Sequence, residues 1–269
     1  MTSFLPALKK LPRPVRYVAI CALAALAGIY LINSRYDRLE IAEHHFYDDA
    51  AQKIWAHRGY AKKHAENTLE AFQDAVDRGA PGIEVDIFYD PATKHFLVTD
   101  SESSHQEPPL RLKDVFVAFG EKTHYWLNFI NLADLGYADS AGAAHLIARM
   151  ATRYTKRPLV MVESSSASHL APFKRFGIHT TLLTTFAPGS SWLVRQYQAL
   201  KLKYLLGTNG ITGASFVPAQ FDQDLSNQLT NTDIYILTAN TLEEARQFAT
   251  SPTVKIILTD EDFYTLDDL

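Results

Sequence analysis

The residues with the clearest capacity for chemistry are His57-Arg58-Gly59 and, further along, Glu84 and Asp86. An imidazole titrates near neutrality and can take or give a proton. A guanidinium beside it can hold a phosphate or carboxylate through two parallel bonds. Glu84 and Asp86 stand at i and i+2, so on a strand they share one face. Two carboxylates on one face repel unless a cation lies between them, and a hard divalent metal suits such oxygen donors. The same spacing also fits a surface strand with two solvated acids and a core face of Ile83, Val85 and Ile87. Alternation alone leaves both open.

Elements able to position these residues are legible around them. KIWAHRG (53–59) reads as a strand ending in Gly. In NTLEAFQDAVDRG (67–79), Leu69, Phe72, Ala75 and Val76 share a helical face, Gly79 ends the helix, and Asn67 is suited to cap it. Strand-like segments follow at 82–90, 95–100, 125–131, 158–164, 179–186, 211–217, 233–240 and 254–260. Between them lie helical segments at 110–120, 139–154, 168–177, 191–204, near 218–230 and at 241–251. The last opens on a capping box, Thr241 with Glu244. About eight strand-plus-helix units predict a parallel sheet closed as a TIM-type (β/α)8 barrel, with function at the C-terminal ends of its strands. Glu163 ends one such strand. No Lys stands at a strand end, which argues against a sugar-phosphate aldolase.

The 269 residues are 47% apolar and 21% charged, an ordinary globular composition. A net charge of −4 gives no electrostatic footprint for nucleic acid. With Cys21 alone, no intrachain disulfide can form. One segment departs from the average: YVAICALAALAGIYLI (17–32) carries no charge and, as a helix, reaches about 24 Å against a hydrocarbon core of about 30 Å. Lys9, Lys10, Arg13 and Arg16 precede it, which favours a cytoplasmic N-terminal side. INSRYDR after the run lacks a small-residue cleavage site, so a retained anchor is read over a cleaved signal or a core helix. The expected organisation is a short basic segment (1–16), a transmembrane signal anchor (17–34) and a barrel (40–269). The barrel is expected on the extracytoplasmic side of a single-pass membrane protein.

The stretch AHRGYAKKHAENTLEAFQDAVDRGAPGIEVDI (56–87) resembles the opening of the glycerophosphodiester phosphodiesterases. The shared features are HRG, ENTLEAF, GA and E-x-D in this order; ILTDEDF (257–263) is a weaker echo. The resemblance implies a phospholipase-C-like phosphodiesterase barrel that hydrolyses glycerophosphodiesters or lysophospholipids. It implies His57 as one of two acid/base histidines, Arg58 as a phosphate contact, and Glu84 and Asp86 as ligands of a divalent metal, Mg or Ca. Glu66 and Asn67 would shape the site loop.

Three family positions are changed. Thr99 stands where the second histidine is expected, and a hydroxyl does not titrate near neutrality. Asn128 replaces the third carboxylate and Ile130 the lysine that would neutralise phosphate charge. Glu163 is a candidate to restore one carboxylate, and His105 on the polar loop 101–109 a candidate to restore an imidazole. Two readings follow: a membrane-anchored phosphodiesterase with reduced activity, or an inactive relative that binds a phosphate headgroup or acts as an envelope scaffold.

Overall fold

The computed structural model describes residues 12–39, 52–101, 108–186 and 190–264. His105 and most of the polar loop around it lie outside the described residues, as do Lys9 and Lys10. The chain opens with helix α1 (Arg13–Tyr36). Then come β1 (Ile54–Ala56), α2 (Leu69–Asp77), β2 (Gly82–Asp90), β3 (His95–Val98), α3 (Leu112–Phe119), β4 (His124–Phe129) and α4 (Tyr137–Tyr154). The second half runs β5 (Val160–Ser164), α5 (Ala167–Arg175), β6 (His179–Leu183), α6 (Trp192–Asn209), β7 (Gly213–Phe216), α7 (Gln223–Gln228), β8 (Asp233–Ile236), α8 (Leu242–Ala249) and β9 (Val254–Thr259).

Strands β1, β2 and β4 to β9 pair in parallel in the order β1-β2-β4-β5-β6-β7-β8-β9, and β9 returns to β1. The sheet therefore closes on itself as the TIM-type barrel that the alternation predicts. β3 is the exception: it pairs antiparallel with the outer half of β2 as a hairpin outside the ring. The helix expected near 218–230 is shorter than the pattern suggested. Pro218 opens a single 3-10 turn, and α7 restarts only after Asp222, whose carboxylate accepts the Leu225 N–H.

Both faces of the barrel strands are buried, as parallel strands under a helical layer require. Ile83, Val85 and Ile87 face outward into the main apolar core against the helices. The inward face is a separate plug of Trp55, Trp126, Met161, Tyr235, Ile256 and Leu258. Gly82 is required there, because a Cβ would overlap the Trp55 indole.

α1 is long and apolar enough to cross a membrane, and its apolar stretch is not buried against the barrel. Its C-terminal turns dock on α6. Gly207 allows the approach, since a Cβ there would sit 3.0 Å from the Tyr36 nitrogen. Tyr36 is fully buried and its hydroxyl meets Thr232 Oγ1 at 2.7 Å.

Candidate functional site

The site forms where β1 and β2 reach the C-terminal mouth. His57 follows β1 directly, and its N–H donates to the Thr259 carbonyl at 2.9 Å, which fixes it beside β9. Its Nδ1 lies 2.8 Å from Asp260 Oδ1. That contact orients the ring and leaves Nε2 for proton transfer, the logic of a carboxylate-held histidine. The bond to His57 holds the Asp260 carboxyl below the usual carboxylate range, with Asn240 and Lys62 adding to the effect.

Arg58 adopts φ +55, the left-handed region that costs a side-chain-bearing residue energy. The turn aims its N–H at Glu84 Oε2 (3.0 Å) and swings its guanidinium over Asp86, Nε to Oδ2 2.9 Å, and Glu66, Nη1 to Oε2 2.8 Å. Gly59, at φ +81, lets the chain pass the Ala71 backbone, which a Cβ would overlap at 2.7 Å. The three residues of the HRG motif are therefore placed differently: His57 is oriented by Asp260, Arg58 brings a positive charge to the acids, and Gly59 packs closely against α2.

The E-N-T segment closes the other side. Asn67, at φ +59, is not the helix cap that its residue type suggested. Thr68 is, accepting the Ala71 N–H at 3.2 Å. Asn67 instead clamps Asp86 twice: its Nδ2 donates to Oδ2 at 2.9 Å, and its Oδ1 accepts the Asp86 N–H at 3.1 Å.

Glu84 and Asp86 point into the barrel, 2% and 0% exposed, so the alternative of solvated surface acids fails. Burial, reinforced by Asp86 and Glu163 and opposed by Arg58, pushes the Glu84 carboxyl well above its ordinary range. Register continues the polar layer around the wall: Asp86 lies opposite Asn128, and Asn128 opposite Glu163. Asn128 Nδ2 donates to Asp86 Oδ1 at 2.7 Å. Glu163 is buried and accepts the Ser215 hydroxyl, and burial raises its pKa to about 7. Thr99 is buried beside this layer, its N–H donating to the Asp86 carbonyl at 3.1 Å. Ile130, one residue past β4, is 36% exposed at the mouth. The structure thus gathers His57, Arg58, Glu66, Asn67, Glu84, Asp86, Asn128 and Glu163 on adjoining strand ends. Asp260, Asn240 and Ser215 are members that the sequence reading missed; only the ILTDEDF echo pointed toward Asp260.

A divalent cation would meet two buried carboxylates, Glu84 and Asp86, the first raised well above its ordinary range by burial and by the second. Such a donor pair fits a hard cation that keeps water or phosphate oxygens as its other ligands. Among the described residues no third His, Cys, Asp or Glu joins them as a group able to hold a metal. Asn128 can add only a neutral carbonyl.

Residues 57–89 match the model of the Glycerophosphoryl diester phosphodiesterase family. No curated protein matches the chain. Among solved structures, one from Silicibacter pomeroyi assigned to the glycerophosphoryl diester phosphodiesterases is 16% identical, with a TM-score of 0.63 over 80% of this chain and 92% of that one. A glycerophosphodiester phosphodiesterase from Thermotoga maritima is 18% identical, with a TM-score of 0.58 over 82% and 97%. An Oleispira antarctica phosphodiesterase in complex with the product sn-glycerol-3-phosphate is 13% identical, with a TM-score of 0.59 over 77% and 92%. The resemblance read from the motifs is thus met by the family model over the first site segment and by the barrel fold over most of the chain.

Proposed function

We propose that this chain is a membrane-anchored phosphoric diester hydrolase acting on glycerophosphodiesters or lysophospholipids, more slowly than a barrel with both histidines. The observation that carries this reading is His57, held by Asp260, next to the Arg58 guanidinium at the barrel mouth. Arg58 provides the charge for a phosphate oxygen, and His57 Nε2 moves the proton of the attacking or departing hydroxyl. Glu84 and Asp86, with the Asn128 carbonyl, are the residues that would hold a Mg or Ca ion. Such an ion, when bound, would neutralise charge on the phosphate. Asn67 and Glu66 hold Asp86 and Arg58 in place. α1 ties the barrel to the membrane, with the barrel on the extracytoplasmic side.

The alternative, an inactive binder of phosphate headgroups or an envelope scaffold, is supported by Thr99 lying beside Asp86 where the resemblance calls for a second imidazole. One experiment separates the two. The purified chain is assayed on glycerophosphocholine and lysophosphatidylcholine with Mg or Ca, against His57→Ala. Turnover above that control supports the hydrolase; headgroup binding without such turnover supports the alternative and overturns the hydrolase.

A further inference from the structure

Asn240 lies on the loop between β8 and α8 and is exposed. Its amide nonetheless makes two bonds to a single residue. Nδ2 donates to Asp260 Oδ2 at 2.5 Å, and Oδ1 accepts the Asp260 N–H at 2.9 Å. The amide can face only one way, because turning it over would set its NH2 against the N–H and its carbonyl against the carboxylate. Asp260 is thereby fixed at its backbone and at one oxygen of its side chain. The other oxygen, Oδ1, is the one that meets His57 Nδ1. A line of contacts thus runs from the loop after β8, through the residue that follows β9, to the residue that follows β1.

Asn67 clasps Asp86 in the same way, with Nδ2 on the carboxylate and Oδ1 on the backbone N–H. There burial is the reason: Asp86 is 0% exposed, and a buried carboxylate needs donors. Asp260 has no such need. Its side chain is 39% exposed, so water could satisfy it. What Asn240 adds is direction. A carboxylate tied only to an imidazole can turn toward solvent, or toward Lys62, whose charge also acts on it. A carboxylate clasped at Oδ2 and at its own N–H cannot turn without breaking a bond to Asn240.

Direction matters at His57 because a neutral imidazole can carry its proton on either nitrogen. The Asp260 carboxylate only accepts. It therefore selects the form protonated on Nδ1 and leaves the Nε2 lone pair able to take a proton. The opposite form carries its proton on Nε2 and cannot act as a base there.

We propose that Asn240 is a positioning residue: it aims Asp260 at His57 and so keeps the imidazole in the form whose Nε2 is the base. The aim itself does not depend on the reaction; its effect on turnover rests on the hydrolase reading.

The test uses the full chain in detergent with 15N-labelled histidine, whose ring-nitrogen signals report where the proton sits. His57→Gln identifies the signals of His57. Spectra are compared at about pH 9, above the ordinary range of an imidazole. Asn240→Ala is set against Thr241→Ala, which loosens the same loop by removing the cap that accepts the Glu244 N–H but leaves Asp260 untouched. Asn240→Ala should move the His57 signals from the Nδ1-protonated form toward a mixture, and Thr241→Ala should not move them. On glycerophosphocholine, Asn240→Ala should lower kcat about ten-fold and change KM less than about two-fold. Signals that stay in place in Asn240→Ala, or that move equally in Thr241→Ala, overturn the proposal, even if kcat falls. Signals that move while kcat holds overturn its consequence for turnover. Signals that move in a chain with no wild-type turnover leave Asn240 as the positioning residue and refute the hydrolase reading instead.

Discussion

Replacing Glu163 by Gln should stabilise the protein at alkaline pH and barely alter it in acid. Glu163 is 2% exposed and its pKa stands at about 7 against an ordinary 4.5. The folded chain therefore binds this proton more tightly than the unfolded chain does. Stability is fully present below about pH 4.5, falls as pH rises, and reaches its lowest level once pH passes about 7. At about 1.4 kcal/mol per pH unit, the total is about 3 kcal/mol. Roughly 2.5 kcal/mol of it falls between pH 5 and pH 8.

Gln is neutral at every pH, and its carbonyl can still accept the Ser215 hydroxyl. The gap between variant and wild type should therefore widen by about 2.5 kcal/mol from pH 5 to pH 8, or roughly 5 to 10 °C in Tm for a domain of this size. Glu84, raised in part by Glu163, relaxes in the variant and adds to the gap in the same direction. The assay is thermal unfolding of the detergent-solubilised full chain at both pH values. A gap that stays constant with pH would refute the reasoning, because it would mean that Glu163 is ionised at no cost in the folded wild type.

Asp260→Asn keeps the shape but replaces the carboxylate that orients His57; kcat should fall about ten- to hundred-fold with KM little changed, while His57→Ala falls about 100- to 10,000-fold. Equal loss in the two variants would mean that Asp260 does more than orient the ring. Asn128→Asp turns a donor to Asp86 into a third carboxylate beside Asp86 and Glu163. Its Tm should drop in EDTA and recover with millimolar Mg or Ca, and a Tm indifferent to either ion would show that no cation binds there. Gly82→Ala pushes a Cβ into Trp55, and urea unfolding should reveal a loss of about 1–3 kcal/mol from overpacking.

The first half of the site was legible because it is local. His57, Arg58, Glu66, Asn67, Glu84 and Asp86 all lie within one strand-helix-strand unit, and all but His57 contact one another there. Periodicity found the unit and the motif found its residues. The errors inside it came from side-chain chemistry with two outlets: Asn67 has the chemistry of a helix cap, but buried Asp86 offered its amide more, and Thr68 took the cap. β3 reads like any other strand because alternation reports a buried face and not the direction of the neighbour. Ser215 could not be placed at all, and Asp260 was touched only by the ILTDEDF echo. Each reaches the site through barrel closure and strand register, which depend on strands far away in sequence.

The altered positions are better understood as a set than one by one. Relative to the pattern that the resemblance implies, Asn128 removes a negative charge and Ile130 removes a positive one, so the mouth keeps its charge balance. Thr99 in place of a histidine changes little at neutral pH, where an unperturbed imidazole is largely uncharged. Asn128 then uses the freed position to donate to Asp86, which also accepts from Asn67 and stands 2.9 Å from the Arg58 guanidinium as an ion pair. What remains is a pocket in which the buried carboxylates Glu84, Asp86 and Glu163 face the Arg58 guanidinium, beside one imidazole oriented by Asp260.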